Sequence, residues 1–155
     1  MSGMVEALWR KRSLRGLMDP ADSATFVAGK GIADDANFGR SKRQVTIIEK
    51  EVFDRIRAEL SDVEPAMRRA NVMVSGVKLR ESRGQVLSLG GVRIQLCGET
   101  RPCERMDAQV PGLTNALDPD WSGGAFGVVL DDGEVRVGDA AVLEPAATTV
   151  GDSIR

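Results

Sequence analysis

The stretch QVLSLGGVRIQLC (residues 85–97) sets two alternating apolar runs on either side of Gly90-Gly91. Alternation with a period of two marks a strand with one buried face, and a glycine pair is free to take positive φ at both positions of a two-residue turn. The stretch therefore predicts a β-hairpin. In its second arm Val92, Ile94 and Leu96 share one face, whereas Arg93, Gln95 and Cys97 share the other, with Cys97 ending the strand.

The same reading extends outward. AFGVVLDDGEVRVGD (125–139) predicts a second hairpin, with Asp131-Asp132-Gly133 turning between 128–130 and 134–137. Further strands are expected at 5–9, 24–27, 44–48 and 71–77. One helix stands out in EKEVFDRIRAEL (49–60), where Val52, Phe53, Ile56 and Leu60 fall on one stripe and should cover an opening or a side of the sheet. A short helical turn is expected at 64–69, after Ser61 or Asp62 and with Pro65 in its first turn, and another in PGLTNAL (111–117). The tail PAATTVGDSIR is small, polar and weakly patterned, and is expected frayed or on the surface. Many short strands in a small chain must protect their edges, so the expected fold is mainly β: a closed or nearly closed barrel with a few short helices. Residues 1–145 read as a single barrel domain and 146–155 as a C-terminal tail.

Composition narrows the chemistry. The 155 residues are 42% hydrophobic with a net charge of −2, enough for one core. Apolar runs such as FGVVL fall far short of the roughly 20 residues that cross a bilayer, and the N-terminus shows no apolar stretch with a cleavage site. A cytoplasmic protein without a membrane partner is expected. Histidine and tyrosine are absent, which removes serine-histidine-carboxylate triads, cysteine-histidine dyads, histidine-bound zinc and a tyrosine acid. Carboxylates, five lysines and two cysteines remain. The cysteines, both in CGETRPCERMD (97–107), are too few for a four-cysteine zinc site and read as thiols in a reducing compartment. Positive charge gathers in WRKRSLR (9–15), GRSKR (39–43) and MRR (67–69), but a pI near 5.3 lacks the basic footprint of a nucleic-acid binder.

Read in order, VEALW, GKGIADDANFGRSKRQVTII (29–48), RRANVMVSGVKL (68–79), the block from Gly84 through GGVRIQLCGETRPCERMD (to 107), GGAFGVV (123–129) and GEVRVGD (133–139) resemble the MOSC domain. That domain is named for the C-terminal part of molybdenum-cofactor sulfurases and also occurs as small stand-alone bacterial proteins. The resemblance covers roughly residues 4–143. It implies a β-barrel of the MOSC or pyruvate-kinase-barrel type, linked to the molybdenum cofactor (molybdopterin), and a functional cysteine in the Pro-Cys element, here Cys103. Such a cysteine carries sulfur or ligates molybdenum, and some relatives hold the cofactor for reduction of N-hydroxylated compounds.

The residues around Cys103 agree with this. A thiolate is both nucleophile and soft metal ligand, and Arg101 and Arg105, each two residues away, favour it, whereas Glu104 opposes it. Cys97 reads either as packing or as a resolving thiol for Cys103. The resemblance places Arg43, Arg68, Arg69 and Asn71 toward the cofactor site, where guanidinium forks suit a phosphate or molybdate-type anion and an amide suits a pterin edge. Lys30, in the glycine-bracketed GKG, is a weaker candidate for the same anion. In GIADDANFG (31–39) relatives commonly carry Gly-Asp and then histidine, but this chain has Asp34-Asp35 and Asn37. Asn37, without a titratable group, or Asp35 stands in for that histidine, or the step is absent. In SGG (122–124) an arginine common before the two glycines is missing; Gly123 and Gly124 suit either a close backbone approach to ligand or a bulge. Three functions remain open: an oxidoreductase or sulfur-transfer protein working with a sulfur donor or redox partner, a carrier that binds cofactor or another anionic small molecule without turnover, and a structural or partner-binding barrel with a decayed site.

Overall fold

The computed structural model describes residues 2–12, 18–59, 70–100 and 124–144. Its elements are β1 (Ser2–Lys11), β2 (Met18–Ala21), β3 (Ser23–Val27), β4 (Gly31–Ile32), β5 (Val45–Glu49), α1 (Lys50–Glu59), β6 (Val72–Ser75), β7 (Val86–Leu89), β8 (Val92–Glu99), β9 (Ala125–Val129), β10 (Gly133–Arg136) and β11 (Ala140–Glu144). Seven strands close a barrel in the order β11-β7-β8-β9-β5-β6-β1, the ring being completed by pairing of β1 with β11, while β2 extends from β1. A ring of strictly antiparallel neighbours needs an even number of strands. The odd number is accommodated by one parallel pair, β5 with β6.

A parallel pair cannot be joined by a hairpin, and α1 lies in the required crossover. Val52, Phe53 and Ile56 bury against Trp9, Ile48, Ala70 and Met73 in a cluster separate from the barrel interior. The helix thus covers the outer side of β1, β5 and β6. Inside, Val5, Leu8, Val45, Ile47, Leu87, Leu89, Ile94, Leu96 and Leu143 form the main core, which Phe26, Ile32 and Val135 of a second, three-stranded sheet (β10-β3-β4) join. Each such side chain contributes roughly 1.5–3 kcal/mol on full burial.

The 85–97 hairpin is present in the expected register, with Leu89 opposite Val92. Of its two turn glycines only Gly90, at φ 60°, takes positive φ. The strand does not end at Cys97. A bulge between Leu96 and Gly98 lets β8 continue to Glu99, with Cys97 half-buried as the extra residue.

The second expected hairpin is not formed. β9 pairs with β5 and β8, whereas β10 pairs with β3 in the other sheet. The acidic residues expected to turn the chain instead tie it elsewhere: Asp131 accepts from Arg93 N, Nε and Nη2 at 3.0, 2.8 and 3.0 Å, and Asp132 Oδ1 accepts from Ala28 N at 2.8 Å. These bonds hold the connection open, so the two strands diverge. The helical turns expected at 64–69 and 111–117, Leu60 of the helix stripe, and the tail after Glu144 lie outside the described residues.

Candidate functional site

Alternation along β5 sends Val45 and Ile47 into the barrel and leaves Thr46 and Ile48 on its outer side. Thr46 stands opposite Phe126 of β9, and Phe126 opposite Gly98 of β8. Cross-strand partners share a face, so these three form a row across the outside of the barrel. Gly98 belongs to it because the bulge at Cys97 rotates the strand by one residue.

At one end of the row is Asn71, just ahead of β6 and fully buried. Its Nδ2 donates to Asp35 Oδ1 at 2.9 Å and to Trp9 O at 3.3 Å, and its Oδ1 accepts from Thr46 N and Oγ1 at 3.1 and 3.2 Å. All four hydrogen-bonding positions of the amide have protein partners. Asp35, itself buried, also accepts from Lys11 N at 2.6 Å and Asn37 N at 2.9 Å. The network fastens the 33–39 loop onto β1 and β5. Asn37 is 1% exposed, yet its Oδ1 has no hydrogen-bond partner among the described residues. A buried amide oxygen left alone costs about 1–3 kcal/mol, so Asn37 is a poised acceptor.

Arg43 approaches the row from the start of β5, its Cζ 4.7 Å from the Phe126 ring centroid. Its backbone is anchored by the adjacent Gln44, whose Nε2 donates to Gly29 O and Arg40 O at 3.0 and 2.7 Å and whose Oε1 accepts from Val129 N at 3.0 Å. Arg43 is exposed and forms no ion pair among the described residues. Two residues along the strands from Gly98 and Phe126, Thr100 N donates to Gly124 O at 2.9 Å. Gly124 has φ 93°, and a β-carbon there would overlap the carbonyl oxygen of Ile47. The glycine answers the close approach of β9 to β5.

A second acidic group sits apart, at the far end of β5 from Arg43. Glu49 is buried, accepts from Leu79 N at 3.1 Å, and with Glu51, Gly76, Val77 and Lys78 lines a cavity of about 160 Å³. Burial raises its pKa above the ordinary 4.5, opposed by the Leu79 hydrogen bond and reinforced by Glu51. The raised value means that folding favours the protonated form, so this stabilisation is complete below about pH 4.5 and is lost as pH rises through the folded pKa. Glu49→Gln keeps an acceptor for Leu79 without the charge. Its stability relative to the parent should therefore increase from acid to neutral pH in denaturant titrations; a pH-independent difference would show that burial does not penalise this carboxylate.

Of the expected site residues, Arg43, Asn71, Asn37 and Gly124 are described, and they lie on or beside the row. Arg68, Arg69, Arg101, Cys103 and Gly123 lie outside the described residues; Arg68 and Arg69 precede Asn71 in the chain by three and two positions, and Cys103 follows Thr100 by three. Sequence reading did not pick out Thr46, Phe126 or Gln44. A trace of Thr46 was present, as the one polar side chain inside VTII.

The family model for the MOSC domain matches residues 34–155, most of the chain. The chain belongs to the MOSC domain family. No curated protein matches this MOSC domain significantly. Among solved structures, the YuaD protein from Bacillus subtilis is similar with a TM-score of 0.80 at 22% identity, over 92% of this chain and 96% of that one. YiiM from Escherichia coli is similar with a TM-score of 0.69 at 16% identity, over 96% and 77%, and YiiM from Geobacillus stearothermophilus with 0.64 at 16%, over 92% and 73%. At these identities the likeness is one of fold. Among the described residues no group of three or more metal-ligating side chains occurs, and no helix is long and apolar enough to cross a membrane.

Proposed function

We propose that this MOSC domain binds a molybdopterin-type cofactor along the outer row, with Cys103 as the thiolate that ligates molybdenum or carries a sulfur. The observation that carries the reading is Arg43, a guanidinium held over Phe126 with no carboxylate partner among the described residues. The lone buried Asn37 Oδ1 is a second fit, since it suits an N–H of a pterin edge. In this reading Arg43, joined by Arg68, Arg69 and Arg101, holds the anionic part, and Gly123-Gly124 borders the ligand. Asn71 keeps the Asn37 loop in place through its own saturated amide. When bound, the cofactor supplies oxygen-atom or sulfur chemistry at molybdenum; a sulfur donor or redox partner protein and reduction of N-hydroxylated compounds belong to the same proposal, in the cytoplasm.

The test is elemental analysis for molybdenum, with assay of reductant-labile sulfur, on protein made in a molybdopterin-producing host. One or the other is expected, and Cys103→Ser should lower it by tenfold or more, because a serine hydroxyl stays protonated at neutral pH and neither ligates nor accepts sulfur as a thiolate does. Absence of both from the parent protein overturns the reading. A non-catalytic carrier is favoured by one observation, that Asn37 offers no titratable group where relatives commonly have histidine; cofactor binding that survives Cys103→Ala without turnover would select it. Alkylation of Cys103 no faster than a model thiol would select a decayed, structural barrel instead.

A further inference from the structure

The turn through residues 80–85 is fastened to β8 by Gly84 N to Leu96 O at 2.7 Å and by Leu96 N to Gln85 O at 2.9 Å. This brings a second arginine to the row. A β-carbon on Gly98 would stand 3.2 Å from Phe126 Cζ and 3.5 Å from Arg83 Nη2, so the ring edge and the Arg83 guanidinium share the space left by the bare glycine. Arg43 lies against the same ring, 4.7 Å from its centroid. Both arginines are exposed, and neither forms an ion pair among the described residues. Arg12, Arg93 and Arg136 each meet a carboxylate at 2.8 Å, whereas Arg43 and Arg83 share one ring in place of an acidic partner.

We propose that Arg43 and Arg83, set around Phe126, form a binding site for the oxyanion of a phosphate group, with Arg83 as the arm that no motif identifies. The ring limits the freedom of Arg43 before an anion arrives, and Gly98 keeps the space between ring and Arg83 clear. Guanidiniums set around one ring offer an anion charge-assisted, bidentate contacts. The inference deepens the reading above, since the phosphate would be the cofactor's, and it rests on that reading for the organic part alone. A phosphate monoester and the dianion of free phosphate present the same three terminal oxygens.

The test titrates the full chain with inorganic phosphate and with phenyl phosphate, followed by phosphorus NMR line broadening. Arg83→Gln and Arg43→Gln should each weaken binding about tenfold, as loss of one charge-assisted contact implies. Gly98→Ala, which places a carbon between ring and guanidinium, should weaken it with both arginines present. Arg136→Gln, which removes a cation paired with Glu134 on β10, should leave it unchanged. Tighter binding of phenyl phosphate assigns an ester site, and equal binding assigns a free-phosphate site. Parent-like binding in both the Arg43 and Arg83 variants, or an equal loss in the Arg136 variant, overturns the proposal. Neither molybdenum nor Cys103 enters the measurement, so phosphate binding by protein devoid of metal and labile sulfur would remove the function proposed above and leave this site standing.

Discussion

Asn71→Ala is expected to lower stability by about 3–5 kcal/mol, because it removes four buried hydrogen bonds and leaves Trp9 O and Thr46 N without a partner. For a chain of this size that is roughly 10 °C in melting temperature. The loss exceeds that of an ordinary polar-to-alanine change because the amide links three separate elements, β1, β5 and the Asp35 loop. Asn71→Asp separates hydrogen bonding from packing. It has nearly the same shape, but puts a carboxylate oxygen where Nδ2 now donates to Asp35 Oδ1 at 2.9 Å. Two buried carboxylates at that distance do not both ionise, so the new group's folded pKa rises. Its stability contribution is then present at low pH and lost as pH rises, and the deficit against the parent should shrink as pH falls into the carboxylate range. Thermal melts at neutral and acid pH check both statements; a neutral-pH loss below about 1 kcal/mol for Asn71→Ala would show that the network carries little.

Gly124→Ala should be nearly as damaging, with a loss of about 3 kcal/mol or more. Two penalties combine: φ of 93° disfavours any β-carbon, and that carbon would overlap the backbone carbonyl of Ile47, which has no rotamer by which to move aside. Either β9 must draw away from β5 or the Thr100–Gly124 hydrogen bond must break. Gly39→Ala is the control. Gly39 has φ 90°, but nothing stands within 4 Å of its would-be β-carbon, so only backbone strain applies and about 1 kcal/mol is expected. Equal losses at the two glycines in denaturant titration would show that the contact with Ile47 relaxes freely. The same comparison bears on function, because Gly124 borders the segment that carries Cys103, and a phosphate affinity reduced in Gly124→Ala but not in Gly39→Ala would tie the outer row to this junction.

Local patterns were legible in most segments where burial has a short period, although the alternation of Ala141 and Leu143 in β11 was not picked out. The alternation in residues 85–97 marked β7 and β8, and the stripe Val52, Phe53, Ile56 marked the buried face of α1. The family was legible from ordered motifs, and its model match bears that out. The second hairpin was misread because a turn signal states only that the chain can reverse. Asp131 and Asp132 have turn-forming side chains, but their carboxylates bind Arg93 and Ala28, partners 38 and 104 residues away that local pattern does not reveal. Cys97 was read as a strand end for a related reason, since a bulge is a mismatch between two strands and has no mark in one of them.

By itself, then, the sequence determined most of the strands, though not β2, β4 or the barrel-closing β11, together with the amphipathic helix, the family and the absence of histidine chemistry, because each depends on residue type or on spacing within one segment. Tertiary structure alone decided the parallel β5–β6 pair that accommodates an odd number of strands in the closed barrel, the rotation of Gly98 onto the row of Thr46 and Phe126, and the placing of Arg83 beside the Phe126 ring that Arg43 stands over. Those features depend on register between strands far apart in the chain. A displacement of one residue exchanges the two faces of a strand, and only the packed barrel selects which face Gly98 presents.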